Sequence, residues 1–194
     1  MRWLATILIA ASVPRFASLS DRPMHADEAI LADRLGTLLE SGAFRYDPSD
    51  YHGPVLAFAS LPFAWVSGVA SYASLNETVL RAVPAFAGLL TVGFSWFIGL
   101  AASGRRAAVV CALLTSLSPG LVYFSRYYIP EQLLVCLSAG LLLSLIRYSQ
   151  SPESNIRLRW AIAAGLFAGL MYATKETAVL RSEEHTSELQ SLTN

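Results

Sequence analysis

The 194-residue chain balances 14 lysines and arginines against 14 acids, so its net charge of zero gives no footprint for nucleic acid. It is 54% hydrophobic and only 14% charged, where soluble domains average roughly 25% charged. Its mean hydropathy is +0.47. With apolar residues in long blocks, this excludes a soluble enzyme or a disordered tail and points to an integral membrane protein. Cys111 and Cys136 both lie inside apolar runs. They read as small buried hydrophobes, with no disulfide framework and no CxxC metal pair.

The first apolar run, Trp3 to about Leu19, follows a single Arg2 and is interrupted only by Arg15. A short apolar core behind a basic start also fits a signal peptide, but the later spans favour an uncleaved first transmembrane helix. A polar loop, 20–53, comes next. Within it Ile30, Leu31, Leu35, Leu38 and Leu39 recur at helical spacing opposite Asp33, Arg34, Thr37 and Glu40, and Gly42 supplies a stop. That pattern predicts an amphipathic helix on the membrane surface. Asp27 and Glu28 stand at its start. As first-turn acids they would merely favour the helix dipole; as a carboxylate pair where the chain re-enters water, they are candidates for chemistry.

Further hydrophobic stretches cover 54–72, about 80–102, 107–124, 131–147 and 159–180. Parity decides whether the first of these crosses. Arg105 and Arg106 occupy one short turn, and Arg147, Arg157 and Arg159 flank another. The positive-inside rule places both turns, with Arg2, in the cytoplasm, which holds only if 54–72 lies along the membrane. Pro54, Pro62 and Gly68 also make that stretch a poor regular span. The expected fold is all-α: about five transmembrane helices plus one or two surface-lying helices in a first outer loop, 20–80. The non-cytoplasmic side then collects Asp21, Asp27, Glu28, Asp33, Glu40, Asp47, Asp50, Glu77, Glu131 and Glu176.

Composition breaks after Leu180. Arg181-Ser-Glu-Glu-His-Thr-Ser-Glu-Leu-Gln-Ser191 reads as a translated short-read sequencing adapter. Residues 181–194 are therefore expected to be an artefact, with 1–180 the N-terminal part of a longer membrane module.

Four ionisable groups converge on the acidic face: Asp27 with Glu28, Arg81, Arg126 with Glu131, and Lys175 with Glu176. Charges at membrane depth are costly unless paired or functional. One carboxylate suits a general base on an acceptor hydroxyl. A second suits orientation of the acceptor or a divalent cation such as magnesium or manganese, held between Asp27 and Glu131. Arg81, Arg126 and Lys175 suit negative charge developing on a phosphate, and His52 suits either a phosphate contact or a hydrogen-bonded place in the loop. Tyr123, Phe124, Tyr127 and Tyr128 read mainly as an interfacial belt.

Asp27-Glu28 after the first helix, Tyr51-His-Gly-Pro54, Arg81 before the next span and Ser118-Pro-(x)5-Ser-Arg-Tyr-Tyr-(x)2-Glu131 together resemble the GT-C superfamily. These are polyprenyl-phosphate-dependent membrane glycosyltransferases, including protein O-mannosyltransferases and aminoarabinose transferases. Over nearly all of 1–180 the chain is most similar to a flippase activity-associated, mannosyltransferase-like subfamily. The resemblance implies that Asp27 is the catalytic first-loop aspartate with Glu28 beside it. It places His52-Gly53-Pro54 at a His/Lys-Pro-Pro motif, with Gly replacing the first Pro. Glu131 falls at a second acidic position, commonly Asp, and Lys175-Glu176 at a motif without an assigned role. The implied function is sugar transfer from a polyprenyl-phosphate donor to an acceptor on the non-cytoplasmic face of the plasma (inner) membrane. The alternative is a non-catalytic component that binds or translocates a lipid-linked sugar.

Overall fold

The computed structural model describes residues 2–45 and 52–175. Asp47, Asp50, Glu176 and the 181–194 tail lie outside them. Among the described residues there are seven α-helices and no β-strand: α1 (Arg2–Phe16), α2 (Ala26–Ser41), α3 (Val55–Val66), α4 (Glu77–Leu117), α5 (Pro119–Phe124), α6 (Pro130–Gln150) and α7 (Ser154–Thr174). A short 3-10 turn, Tyr72–Ser74, precedes α4.

The loop helices form as the apolar spacing predicts. Leu31, Ala32, Leu35 and Leu38 are buried along α2, and Gly42 ends it in the left-handed conformation (φ 70°) that glycine adopts without strain. The α2 stripe packs with Leu56 of α3, Leu80 and Val83 of α4, and Tyr128. Helix α3 has 12 residues, about 18 Å at 1.5 Å per residue, far short of a hydrocarbon core of about 30 Å. Phe58, Trp65 and Val66 stay exposed along it, as they would on a helix resting in lipid.

The two stretches 80–102 and 107–124 meet at a sharp elbow. The 41 residues of α4 form two helical arms, divided where Ser103 and Gly104 leave helical geometry, Gly104 at φ 79°. The second arm folds back on the first: Thr115 Oγ1 donates to Ser95 Oγ at 2.9 Å, and Ala108 and Ala112 pack on Val92, Trp96 and α1 residues Ile7 and Ala11. Arg105 and Arg106 follow this elbow, as expected of a turn. Gln150, the last residue of α6, donates to Ala101 O at 3.0 Å, and Trp3 shares a groove with Arg105 and Arg106. The basic turns therefore share one end of the bundle. Three helices, α4, α6 and α7, are long and apolar enough to cross a membrane; α1 has 15 residues.

Arg15, which interrupts the first apolar run, is fully buried. Its guanidinium donates to Ala11 O, Ser116 O and Thr115 O at 3.0, 3.3 and 3.2 Å. Four residues beyond Thr115 stands Pro119, which has no N–H for that carbonyl. Arg15 replaces the missing donor, and the negative helix end offsets its charge. Arg126 does the same for α1, donating to Pro14 O, Ala17 O and Ser18 O. Two arginines thus cap two helix ends at the opposite pole from Arg105.

Candidate active site

Helix α2 begins with a capping box. The His25 amide donates to Glu28 Oε2 at 3.0 Å, and the Asp27 amide donates to His25 Nδ1 at 3.3 Å. Neighbouring residues on a helix point about 100° apart, so the two acids part company. Glu28 turns inward and is 1% exposed, whereas the Asp27 side chain is 69% exposed. His25 Nδ1, which accepts the Asp27 amide hydrogen, lies 3.5 Å from Asp27 Oδ2.

Glu28 is a structural hub. Its Oε1 accepts from Arg81 Nε and the Tyr128 amide, both at 2.9 Å. Its Oε2 accepts from Arg81 Nη2 at 2.9 Å and from Arg22 Nη2 at 3.0 Å. Arg81 is equally buried, 1% exposed, and donates further to Leu19 O, Arg22 O and Pro23 O at 2.6, 2.8 and 3.2 Å. A guanidinium has five N–H groups, and all five of these bind the protein. Arg81, expected on the phosphate side, keeps no donor for a phosphate; Glu28, expected as a supporting acid, keeps no face for a substrate. Together they pin the loop after α1, the start of α2, the second turn of α4 and the Tyr127-Tyr128 turn.

Burial alone would push the Glu28 carboxyl up. The Arg81 hydrogen bonds, the His25 and Tyr128 amides and the Arg81 charge outweigh it, holding the carboxyl below its ordinary 4.5. The unfolded chain then binds the proton more readily than the folded one. The stability Glu28 contributes is fully present above about pH 4.5 and is lost as pH falls through the lower folded value. Melting temperature should stay flat above that point and drop below it, and the drop should be smaller in Glu28→Gln.

The hub fixes its surroundings. Arg22 lies 3.6 Å over the Tyr127 ring and donates to Arg126 O at 3.3 Å. Tyr128, 1% exposed, shares a 2.9 Å hydrogen bond with Ser60 Oγ of α3. The turn so held delivers Pro130 and Glu131 to the first turn of α6. There a cleft of 270 Å³ opens, lined by Asp27, Ile30, Leu31, His52, Ile129, Pro130 and Glu131.

Lys175 approaches the cleft through the backbone. Gly53 N donates to Thr174 O at 3.1 Å, and His52 pairs with Lys175 in an isolated antiparallel bridge. Lys175 Nζ then reaches Glu131 Oε1 at 3.0 Å. A Cβ on Gly53 would fall on the Ala173 carbonyl, so glycine is required here by the close approach of two backbones. Gly53→Ala should separate His52 from Lys175 and lower activity by about tenfold or more, a size typical for misplaced site residues. Limited proteolysis near residue 53 would report the loosened contact.

Burial first, then the Lys175 and Arg34 charges, push the His52 imidazole below its ordinary 6.5, with Glu131 and Asp27 pulling the other way. Arg34 Nη1 donates to His52 O at 3.2 Å.

Of the sequence candidates, Asp27, His52 and Glu131 share the cleft, with Lys175 on Glu131. Glu28 and Arg81 lie behind it as a clamp, Arg126 serves α1, and Glu176 falls outside the described residues. Composition alone did not single out Arg22 or Arg34. A cation expected between Asp27 and Glu131 finds a poor donor set: among the described residues no three His, Cys, Asp or Glu side chains gather to hold a metal, and Glu131 already holds Lys175. No step is routed through one.

An all-helical membrane bundle, with basic turns at one end and a carboxylate cleft at the other, is the architecture of GT-C glycosyltransferases. The dolichyl-phosphate-mannose-protein mannosyltransferase family matches residues 59–181, more than half the chain, and the chain belongs to that family. The match includes Arg81, Arg126, Glu131 and Lys175 but begins after Asp27 and His52. Two crystal structures of ArnT from Cupriavidus metallidurans share the fold, each at 23% identity over 89% of this chain. One is in the apo state (TM-score 0.75) and one is bound to undecaprenyl phosphate (TM-score 0.76). The chain spans 32% of those structures, about a third of their length. No curated protein sequence matches it.

Proposed function

We propose that this chain carries the catalytic end of a membrane glycosyltransferase, which moves a sugar from a polyprenyl-phosphate donor to an acceptor. One observation carries the reading: Asp27 presents an exposed carboxylate to a cleft, while the adjacent Glu28 is wholly consumed by Arg81, Arg22 and the His25 and Tyr128 amides. Two neighbouring acids thus have separate tasks, one structural and one open to substrate.

In this reading Asp27 accepts the proton of an acceptor hydroxyl as its oxygen bonds to the anomeric carbon of the donor sugar. The bond from that carbon to the phosphate oxygen breaks, and its electron pair leaves on the polyprenyl phosphate. Lys175, which reaches Glu131 of the cleft, supplies the cation for that developing charge. His52 borders the same cleft, its disfavoured protonated form leaving a neutral hydrogen-bonding group.

Five crossings complete the topology: α1, the two arms of α4 with α5 extending the second, α6 and α7. The arginine-rich end then faces the cytoplasm by the positive-inside rule, and the Asp27 cleft faces the non-cytoplasmic side of the plasma membrane. The test is to supply full-length protein in native membrane vesicles, which retain acceptor molecules, with a sugar-labelled polyprenyl-phosphate donor. The reading expects the donor to be consumed and free polyprenyl phosphate released. A component that only binds or translocates the lipid would leave the donor intact, and that result would overturn the proposal.

A further inference from the structure

The Lys175–Glu131 pair is weakly held. The contact is single-pronged, with Lys175 Nζ 3.0 Å from Glu131 Oε1, while Glu131 Oε2 is buried without a hydrogen-bond partner among the described residues. Buried polar atoms are rarely left unmatched. The side chains are 30% and 40% exposed, and water-accessible ion pairs hold weakly. Each partner also has support that does not depend on the other. Glu131 sits in the first turn of α6, after Pro130 at its start, where the helix dipole favours a negative charge. Lys175 stands at the C-terminal end of α7, where the dipole favours a positive one. Its backbone is anchored by the Met171 carbonyl, which accepts its amide at 3.2 Å, and by the bridge to His52. Only the lysine side chain has to move.

We infer that Glu131 is the exchangeable counter-ion of a phosphate subsite on Lys175. An arriving phosphate ester takes the ammonium from Glu131, and both carboxylate oxygens then become available to hydroxyl groups in the cleft. Phosphate binding and hydroxyl binding are coupled in that order: until the phosphate arrives, Glu131 is occupied by lysine. This deepens the proposed function and rests on it for the identity of the hydroxyl group. The exchange itself involves only charge and hydrogen bonds, so it can be tested without turnover.

The experiment measures binding of undecaprenyl phosphate in detergent micelles, and separately of inorganic phosphate, to the full-length protein and its variants. Glu131→Gln removes the competitor and should tighten binding about tenfold, whereas Lys175→Met should weaken it about tenfold, the scale of a modest coupling between sites. Lys175→Arg keeps the charge and should stay near wild type. In the double variant, Glu131→Gln should give no gain, because there is no lysine to release. Binding of the lipid alone would mean that the subsite reads the phosphate together with its chain, and competition by inorganic phosphate would mean that it reads the phosphate group; either supports the exchange. If the pair were only a staple between α6 and α7, both single variants would lower the melting temperature and leave phosphate affinity unchanged. That outcome overturns the exchange even if donor is consumed. Donor left intact, with the affinity pattern as expected, would overturn the transferase reading and leave the exchange standing.

Discussion

Glu28→Ala is expected to cost about 3–5 kcal/mol, the scale of breaking a buried ion pair on one side. Marginal stabilities of 5–15 kcal/mol leave little margin for such a loss. The size follows from what remains. Arg81 stays 1% exposed with three carbonyl partners and no counter-charge, and the Tyr128 and His25 amides lose their acceptor. Arg81→Met should be milder, because Glu28 would keep Arg22 and both amides. Removing both charges with apolar residues of similar volume should recover part of the loss, since a buried pair is often replaceable as a unit. Thermal melts of the detergent-solubilised full-length protein would show this order. A Glu28→Ala protein melting with the wild type would show that the clamp contributes nothing.

The second large effect is on rate, not stability. Asp27→Asn keeps the shape of a side chain that is 69% exposed. It leaves untouched the backbone amide that Asp27 donates to His25, so melting temperature should hold within a degree or so of the small changes typical at surfaces. Transfer should fall by about 10²–10⁴, the contribution of a positioned general base. Glu28→Gln gives the contrasting pattern, with melting temperature falling first and activity following it. Adjacent carboxylates would then be distinguished by which quantity each one moves.

Much of the architecture was legible in residue patterns. The α2 stripe, the Gly42 stop and the elbow before Arg105 all follow from periodicity, glycine placement and charge. The site was legible only in part. Glu28 and Asp27 look alike in sequence, and the capping box that separates them begins with His25, outside the usual Ser, Thr, Asp or Asn. The acid three residues after the cap was the available signal. Arg81 looked like a free cation because its five partners come from Glu28 and from carbonyls of residues 19–23, which no spacing rule connects to α4. Gly53 looked like a departure from a motif, yet it is what lets that loop lie against α7. Arg15 could be anticipated once Pro119 was placed at a helix break, since the orphaned Thr115 carbonyl needs some donor. Which helix end lies beside Arg15, however, is settled only by packing.

The account turns on whether the Asp27 cleft performs chemistry. The most direct measurement is donor binding and donor consumption on the same native membrane vesicles, which retain acceptor molecules, carrying full-length wild type or Asp27→Asn and supplied with a polyprenyl-phosphate sugar. The prediction is binding in both and release of polyprenyl phosphate only by the wild type. Equal release from both, or no release from either while binding persists, would contradict it.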